Sequence, residues 1–192
     1  LGFLCNSPNE LKEKLGQTLE IMSDQKDSEA WSINGIHYAQ KGNPYQNGIV
    51  ALFSGQGSQY KNMGKELYLN FPPMLESLQS IDQRFIKENK APLSSFVFPK
   101  PVFDEKEKET QDSQLQLTQN AQPAIGAFGA GLFQILKDGG LEANYTAGHS
   151  FGELTALWAA GVLEEKDYYH LAHARGQAMA APDDPDFDAG AM

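Results

Sequence analysis

The chain has 192 residues, of which 41% are hydrophobic and 21% charged, and its formal net charge at pH 7 is -10. This composition is typical of a globular protein with one core and room for a small flanking unit. The negative field disfavours nucleic acids and anionic membranes, so a phosphate-bearing substrate needs a local basic patch. The single cysteine, Cys5, excludes an internal disulfide, the sequence has no apolar run of membrane-spanning length, and no signal-peptide pattern opens the chain. We therefore expect a cytoplasmic protein with no nucleic-acid and no membrane partner.

Residues 1–47 are predicted to form a small unit of one short strand and one helix. The apolar run at residues 1–5 reads as an edge strand. A capping box at residues 7–10, with Pro8 at the first helical position, predicts that a helix begins there. The turn-rich residues 43–48 end the unit. A single narrow apolar stripe places the helix on a surface: Leu11, Leu15, Leu19 and Met22.

Residues 48–192 form the main predicted domain. The continuous apolar run at residues 48–53 indicates a strand buried in a parallel sheet, and a helix is expected to follow from near Tyr60. Residues 91–113 read as a loop, in which the charged stretch 104–109 is a solvated insertion. A helix is predicted at residues 122–137, closed by a glycine in the left-handed conformation at the pair Gly139 and Gly140.

The remaining elements predict an α/β fold. A short strand at residues 145–147 is followed by helices at 152–162 and 164–181 and by a turn-rich loop at 182–186. A strand, a sharp turn and a helix in this order indicate a sheet with its chemistry at the carboxyl ends of the strands.

The strongest chemical signal is the G-x-S-x-G pattern at residues 148–152, between a predicted strand and a predicted helix. Ser150 is the candidate nucleophile, and the two glycines relieve the crowding of a very sharp turn. The backbone N–H of Phe151 is a candidate oxyanion donor. The neighbouring His149 is expected to orient or pack at the substrate site, because adjacent side chains on a tight elbow point apart. The general base is then expected from a distant segment.

Two weaker signals leave alternatives open. At the glycine-rich residues 55–59, Gln56 either places an amide or its N–H near an acyl oxygen or belongs to an ordinary glycine turn. Arg175, among small neighbours on a helix, either holds a carboxylate through two parallel hydrogen bonds or complements the helix dipole.

Four motifs together resemble, in order and spacing, the malonyl-CoA:acyl-carrier-protein acyltransferase family. They are residues 53–59 (FSGQGSQ), 118–125 (TQNAQPAI), 148–153 (GHSFGE) and 175–179 (RGQAM). The resemblance implies an α/β-hydrolase-like large subdomain with a parallel sheet and a nucleophile elbow. Residues 1–47 are similar to the linker between ketosynthase and acyltransferase domains. The sequences of residues 148–163 and 175–192 resemble in particular the acyltransferases of bacterial polyunsaturated fatty acid synthases.

The resemblance also implies a reaction. A malonyl group would pass from coenzyme A to Ser150 and then to the phosphopantetheine thiol of an acyl carrier protein, with no bound cofactor and no metal. Gln56 and the Phe151 N–H would frame the oxyanion hole, Arg175 would bind the malonyl carboxylate, and Gln122 and His149 would line the site. An adjacent ketosynthase domain is the further expected partner.

By the same resemblance, the general-base histidine lies about a hundred residues beyond Ser150, and a ferredoxin-like subdomain begins near residues 189–192. This chain is then the N-terminal part of the domain and is expected to be inactive alone. Neither His170 nor His173 is favoured as the base. Two alternatives remain: a serine thioesterase or esterase of the α/β-hydrolase kind, and a catalytically silent fragment that docks a carrier protein.

Overall fold

The computed structural model describes residues 1–40 and 48–180. The chain divides into two compact units, residues 1–48 and 49–192, each of which has its own fold. The turns predicted at residues 43–47 and 182–186, and the expected start of a ferredoxin-like subdomain at 189–192, lie outside the described residues.

The first unit consists of one helix and a three-stranded antiparallel sheet of order β1-β3-β2. Its elements are β1 (Gly2–Phe3), α1 (Pro8–Asp24), β2 (Ala30–Ile33) and β3 (Ile36–Ala39). The edge strand is confirmed, because β1 pairs with β3 alone. So is the helix start, where the Ser7 hydroxyl accepts a hydrogen bond from the Glu10 N–H.

The expected composition of this unit, one strand and one helix, is wrong. A hairpin of β2 and β3 follows the helix, and its turn residues Asn34 and Gly35 both have positive φ, at 51° and 72°. An Asn-Gly pair between alternating apolar residues favours this turn, so the signal was present in the sequence. Helix α1 does lie on a surface. Its apolar stripe, however, is exposed, from 39% at Met22 to 71% at Leu19.

The second unit is an α/β fold, as predicted. Its elements are β4 (Val50–Phe53), α2 (Lys65–Asn70), α3 (Pro72–Lys87), α4 (Ser94–Val97), α5 (Glu105–Gln116), α6 (Thr118–Asp138), β5 (Tyr145–Gly148), α7 (Gly152–Ala159) and α8 (Glu165–Ala178). Strands β4 and β5 are parallel, with Val50 opposite Tyr145 and Phe53 opposite Gly148. Their carboxyl ends therefore meet, and the two candidate site loops leave the sheet side by side.

Helix α6 is the centre of the core because its small residues allow close packing. A Cβ added at Gly131 would lie 2.8 Å from the Met74 Cα on α3, and one at Gly126 would lie 2.9 Å from the Phe151 ring. The Tyr168 hydroxyl donates to the Gly126 carbonyl at 3.0 Å, and burial raises the pKa of Tyr168 well above its usual value, so the hydroxyl keeps its proton.

The prediction that β4 is a fully buried strand is wrong for the described part of the chain. One face of the sheet packs against α6 and α7, through Phe53 against Phe133 and through Thr146, which donates to the Ala156 carbonyl. The opposite face leaves Val50 50% and Leu52 77% exposed. Parallel sheets are normally covered on both faces, and here the described helices cover one.

Three helix predictions also need correction. The helix expected from Tyr60 begins at Lys65, after a run of turns. The stretch predicted as a loop contains α4 and α5, because Asp104 caps α5 by accepting the N–H groups of Lys106 and Glu107. The small-residue helix begins at Thr118 rather than at residue 122, and it tolerates Pro123 inside at the loss of one backbone hydrogen bond. The left-handed closure is at Gly140, with φ 93°.

Candidate active site

Ser150 sits on a strained turn between β5 and α7. Its φ of 53° is left-handed, which is uncommon for a residue with a side chain. The flanking glycines leave no room for a Cβ: one at Gly148 would lie 2.0 Å from the Gly152 carbonyl carbon, and one at Gly152 would lie 2.2 Å from the Phe53 oxygen. The turn therefore exists only with glycine at both positions, and it exposes the Ser150 side chain at the end of the strand.

The glycine-rich loop after β4 lies directly against this turn. The His149 N–H donates to the Phe53 carbonyl at 3.0 Å, which extends the strand pairing to the loop. A Cβ at Gly55 would lie 2.5 Å from the His149 carbonyl oxygen and 3.3 Å from the Ser150 Cβ. Within the loop, the Gln59 side chain accepts the Gly57 N–H and the Ser58 hydroxyl donates to the Gly55 carbonyl. The backbone next to Gln56 is thus held beside Ser150.

The backbone N–H groups of Gln56 and Phe151 have no acceptor within the described residues, and neither do those of their neighbours Gly55 and Ser150. The Phe151 side chain is fully buried, which fixes the peptide that follows Ser150. Unpaired N–H groups on the two loops that meet at a serine are the arrangement that an oxyanion hole requires.

A chain of side-chain hydrogen bonds joins helix α8 to the glycine-rich loop. Arg175 Nη1 donates to Gln122 Oε1, Gln122 Nε2 donates to Gln56 Oε1 at 3.3 Å, and Gln56 Nε2 donates to the Thr118 hydroxyl at 3.1 Å. Gln122 is fully buried, and the Arg175 guanidinium lies over the Phe151 ring, 5.9 Å from its centroid. One cation is therefore held next to the serine elbow by neutral partners, with nitrogens to spare for an anion.

These elements surround a cleft of about 530 Å³. Its lining residues are Gln56, Gly57, Gln59, Gln116, Gln122, His149, Ser150 and Met179. The structure thus brings together Ser150, Gln56, Gln122 and His149, while Arg175 reaches the cleft through Gln122. Sequence reasoning missed Gln59, Thr118, Gln116 and Met179. Gln59, Thr118 and Met179 lie inside the four motifs and were within reach, whereas Gln116 enters only because α5 folds beside the loop.

Two of the chain's histidines, His170 and His173, share helix α8, and neither lines the cleft. His170 is exposed. The buried His173 forms a 2.7 Å hydrogen bond with Glu88, which also pairs with Lys90 at 2.7 Å. The hydrogen bond from Lys90, and after it that from His173, lower the pKa of Glu88. This cluster connects α8 to the end of α3 and leaves His173 unavailable to Ser150.

The fold and the site define the class: an α/β protein with a serine on a nucleophile elbow beside a second loop of free backbone N–H groups. The family described as "Acyl transferase domain" matches residues 50–191. The chain belongs to this acyltransferase family, as the sequence motifs indicated.

The curated relatives include two kinds of protein. The chain is 32% identical to a polyunsaturated fatty acid synthase subunit of a Thraustochytrium species over 100% of this chain and 7% of the relative. It is 39% identical to "Malonyl CoA-acyl carrier protein transacylase" of Bacillus subtilis over 68% of this chain and 37% of the relative. The chain therefore spans only a part of the proteins that it resembles.

Solved structures of the same family have the same fold. The acyl-carrier-protein S-malonyltransferase of Bartonella henselae matches with a TM-score of 0.56 and 33% identity, over 68% of this chain and 39% of that one. The acyltransferase domain from the second module of the salinomycin polyketide synthase matches with a TM-score of 0.63 and 26% identity, over 92% and 36%. These matches support the α/β acyltransferase fold for the second unit. Over the described residues, no helix has both the length and the apolarity needed to cross a membrane.

Proposed function

We propose that this chain is part of a transferase that moves a malonyl group from coenzyme A to the phosphopantetheine thiol of an acyl carrier protein. The observation that carries the proposal is the strained Ser150, which lies next to the unpaired N–H groups of Gln56 and Phe151. It also lines one cleft with Gln122, the partner of Arg175. Relatives named as a malonyl transacylase and a fatty acid synthase support the substrate and the pathway, fatty acid or polyketide synthesis. A solved relative is a malonyl-transacylase in complex with an acyl-carrier protein, which supports the partner.

Ser150 acts as the nucleophile in this proposal. Its Oγ attacks the thioester carbonyl while a general base takes the hydroxyl proton, and coenzyme A leaves as the thiol. The N–H groups of Gln56 and Phe151 stabilise the oxyanion that develops on the carbonyl oxygen. The carrier-protein thiol then attacks the Ser150 ester, and the serine recovers its proton. No bound cofactor takes part, since both thioesters are substrates.

Arg175 supplies the selectivity. Its guanidinium is partly buried and bonded to the amide oxygen of Gln122, a neutral acceptor, so it keeps donors for the malonyl carboxylate. If an acyl group without a carboxylate is bound, the guanidinium is shielded from water and has no counter-charge. This costs much more free energy than the loss of an apolar contact. Gln122 orients the arginine and lines the site together with His149.

The general base in this proposal is a histidine outside the 192 residues. His170 and His173 do not line the cleft. His149 lines it, but it is next to Ser150 in the chain, and adjacent side chains on a tight elbow point apart. The chain alone is then expected to lack acyl transfer, and the ferredoxin-like subdomain of the family would also come from outside it.

Residues 1–47 are proposed to be the linker between a ketosynthase and an acyltransferase domain, and residues 48–192 the first part of the acyltransferase domain. The match to the Thraustochytrium synthase extends over the whole chain, whereas that to the separate Bacillus transacylase covers 68%. This difference supports a multidomain origin and an adjacent ketosynthase.

The test is intact mass spectrometry after incubation with malonyl-CoA, followed by peptide mapping. This chain is compared with a longer form that contains the proposed histidine. We expect a malonyl adduct on Ser150 in the longer form only. An adduct on another residue, or none in a folded longer form, would overturn the proposal. Adding holo carrier protein then shows whether a thiol or water accepts the acyl group, and preferential transfer to water would favour a thioesterase.

A further inference from the structure

A second pocket, rich in lysine, lies in the same unit next to the candidate active site. Its volume is about 360 Å³, and it is lined by Lys61, Asn62, Lys65, Phe98, Pro99, Lys100, Pro101, Val102, Lys108 and Gln111. We name it the lysine pocket after Lys61, Lys65, Lys100 and Lys108. Four of the chain's 15 basic residues thus line one pocket without any carboxylate in its lining, although acidic residues number 25. The long-range field repels anions, but this pocket is a local exception.

Two of the four lysines are free to bind a ligand. Lys61 pairs with Asp112 at 2.9 Å and Lys108 with Glu105 at 2.6 Å. Lys65 and Lys100 form no ion pair within residues 1–40 and 48–180. Asp112 and Glu105 therefore compensate two of the four positive charges. An anion that enters the pocket meets the two ammonium groups that are not paired, those of Lys65 and Lys100.

The walls of the pocket are held together by hydrogen bonds to the backbone. The Asn62 N–H donates to the Val97 carbonyl at 2.8 Å, and Gln111 Nε2 donates to the Lys100 carbonyl at 2.9 Å. These bonds fix three segments around the lysines: the loop before α2, the segment after α4, and helix α5. The site is preformed, so binding an anion there orders little besides the lysine side chains themselves.

The lysine pocket shares two walls with the cleft that contains Ser150. Gln59 lines the cleft and Lys61, two residues later, lines the pocket. On helix α5, Gln116 lines the cleft and Gln111 lines the pocket, about 7.5 Å apart along the axis at 1.5 Å per residue. Gln59 Nε2 donates to Gln116 Oε1 at 2.6 Å, which joins the two segments in the wall of the cleft.

We propose that the lysine pocket binds the phosphate groups of the coenzyme A thioester while its acyl end lies at Ser150. This inference rests on the proposed function. Malonyl-coenzyme A has a thioester at one end and a diphosphate with a further phosphate at the other, joined by a long flexible arm. Ammonium groups form charge-assisted hydrogen bonds with phosphate oxygens. A concave pocket of this volume suits the phosphates of a small ligand better than the convex surface of a carrier protein.

The first experiment measures binding without catalysis. The Kd of the intact protein for coenzyme A and for pantetheine, which lacks these phosphates, is determined by isothermal titration calorimetry. We expect Lys65→Gln/Lys100→Gln to weaken coenzyme A binding about tenfold and to remove most of its advantage over pantetheine. The matched control is Lys137→Gln/Lys166→Gln, which neutralises two exposed lysines outside the lining. Equal coenzyme A affinity in both double variants would overturn the proposal, as would an equal loss for pantetheine.

A second experiment separates this proposal from the proposed function. Loading of Ser150 is measured with malonyl-CoA and with malonyl-pantetheine, and we expect Lys65→Gln/Lys100→Gln to lower the ratio of the two rates about tenfold. An unchanged ratio with normal loading would refute the pocket and leave the transferase intact. Loss of coenzyme A binding in the variant, without an acyl adduct in any form, would keep the pocket and refute the transferase. A variant defective only in transfer to the carrier protein would assign the lysines to that partner and overturn the proposal.

Discussion

The surroundings of Ser150 and those of Arg175 in the candidate site are built in different ways. Around Ser150 the backbone determines the geometry. The serine is left-handed, the flanking glycines leave no room for a Cβ, and the unpaired donors are peptide N–H groups. Around Arg175 the geometry is determined by side chains, whose hydrogen bonds connect α8 through Gln122 to Gln56 and Thr118. A backbone site is rigid and indifferent to most of the substrate, whereas a side-chain site can be changed without altering the fold. We therefore expect the first to control whether transfer occurs and the second to control which acyl group is transferred.

The largest effect is expected at the nucleophile. Ser150→Ala should reduce acyl loading of the intact protein by about a thousandfold or more for every acyl group, because no covalent intermediate can form. Rapid-quench measurement of acyl-enzyme from malonyl-CoA and acetyl-CoA tests this. The fold should be retained, since the side chain is exposed. Unchanged transfer by this variant would contradict the assignment of the nucleophile.

Gly152→Ala tests whether the backbone geometry around Ser150 depends on its glycines. The new Cβ would lie 2.2 Å from the Phe53 oxygen and 2.8 Å from the Ser54 oxygen, both of which are backbone atoms. We expect destabilisation by about 3 kcal/mol, with loading of all acyl groups lowered together. The free energy of unfolding in urea measures this loss of stability.

Gly129→Ala is the matched control for that substitution. Its Cβ would meet Thr155 Cγ2 at 3.6 Å and Phe53 Cδ1 at 3.7 Å, which are ordinary contacts. Inside helix α6 this change should be neutral or stabilise by up to about 1 kcal/mol. Equal stability of the two variants would show that the elbow does not depend on its glycine.

Arg175→Ala tests whether the side chains around Arg175 determine which acyl group is transferred. Malonyl loading should fall about a hundredfold, because the carboxylate loses its charge-assisted hydrogen bonds, while acetyl loading should change only a few-fold. The ratio of kcat/KM for the two donors measures the selectivity. Arg175→Lys keeps the charge without the planar fork and should recover part of the malonyl rate. Equal losses for both donors would make Arg175 a structural residue.

The smallest effect is expected at the cluster that connects α8 to α3. Folding lowers the pKa of Glu88 below its usual 4.5, mainly through the hydrogen bond from Lys90 and then that from His173. A carboxyl whose pKa is lowered on folding stabilises the fold above the unfolded value and loses that contribution as the pH falls through the folded value. The Glu88 side chain is 43% exposed, so Glu88→Gln should cost at most about 1 kcal/mol at pH 7.

This prediction is checked by unfolding of both proteins at pH 7 and at pH 3. The difference in stability should be present at pH 7 and should shrink at pH 3, which lies below the usual pKa of 4.5 for this carboxyl. A difference that does not vary with pH would assign the effect to packing around His173 rather than to charge.

The local sequence predicted the turn at Ser150 well and helix α5 poorly. The G-x-S-x-G turn is specified by its own glycines, because steric exclusion of Cβ acts between residues that are close in the chain. Helix α5 has one buried apolar residue, Leu115, and otherwise polar and charged side chains, so its pattern offered no amphipathic signal. Its cap, Asp104, was the available clue. The β2–β3 hairpin was likewise signalled by Asn34 and Gly35 but was not identified.

By itself, the sequence determined the elbow, the order of strand, turn and helix, and the presence of Gln56, Gln122 and Arg175 in recognisable motifs. Only the tertiary structure decided that Arg175 reaches the cleft through Gln122, that His173 is bound to Glu88, and that the lysines of three separate segments line one pocket. The physical reason is distance along the chain. Turn geometry depends on neighbouring residues. The contacts of Arg175 with Gln122 and of His173 with Glu88 join positions 53 and 85 residues apart, and they exist only after α3, α6 and α8 have packed.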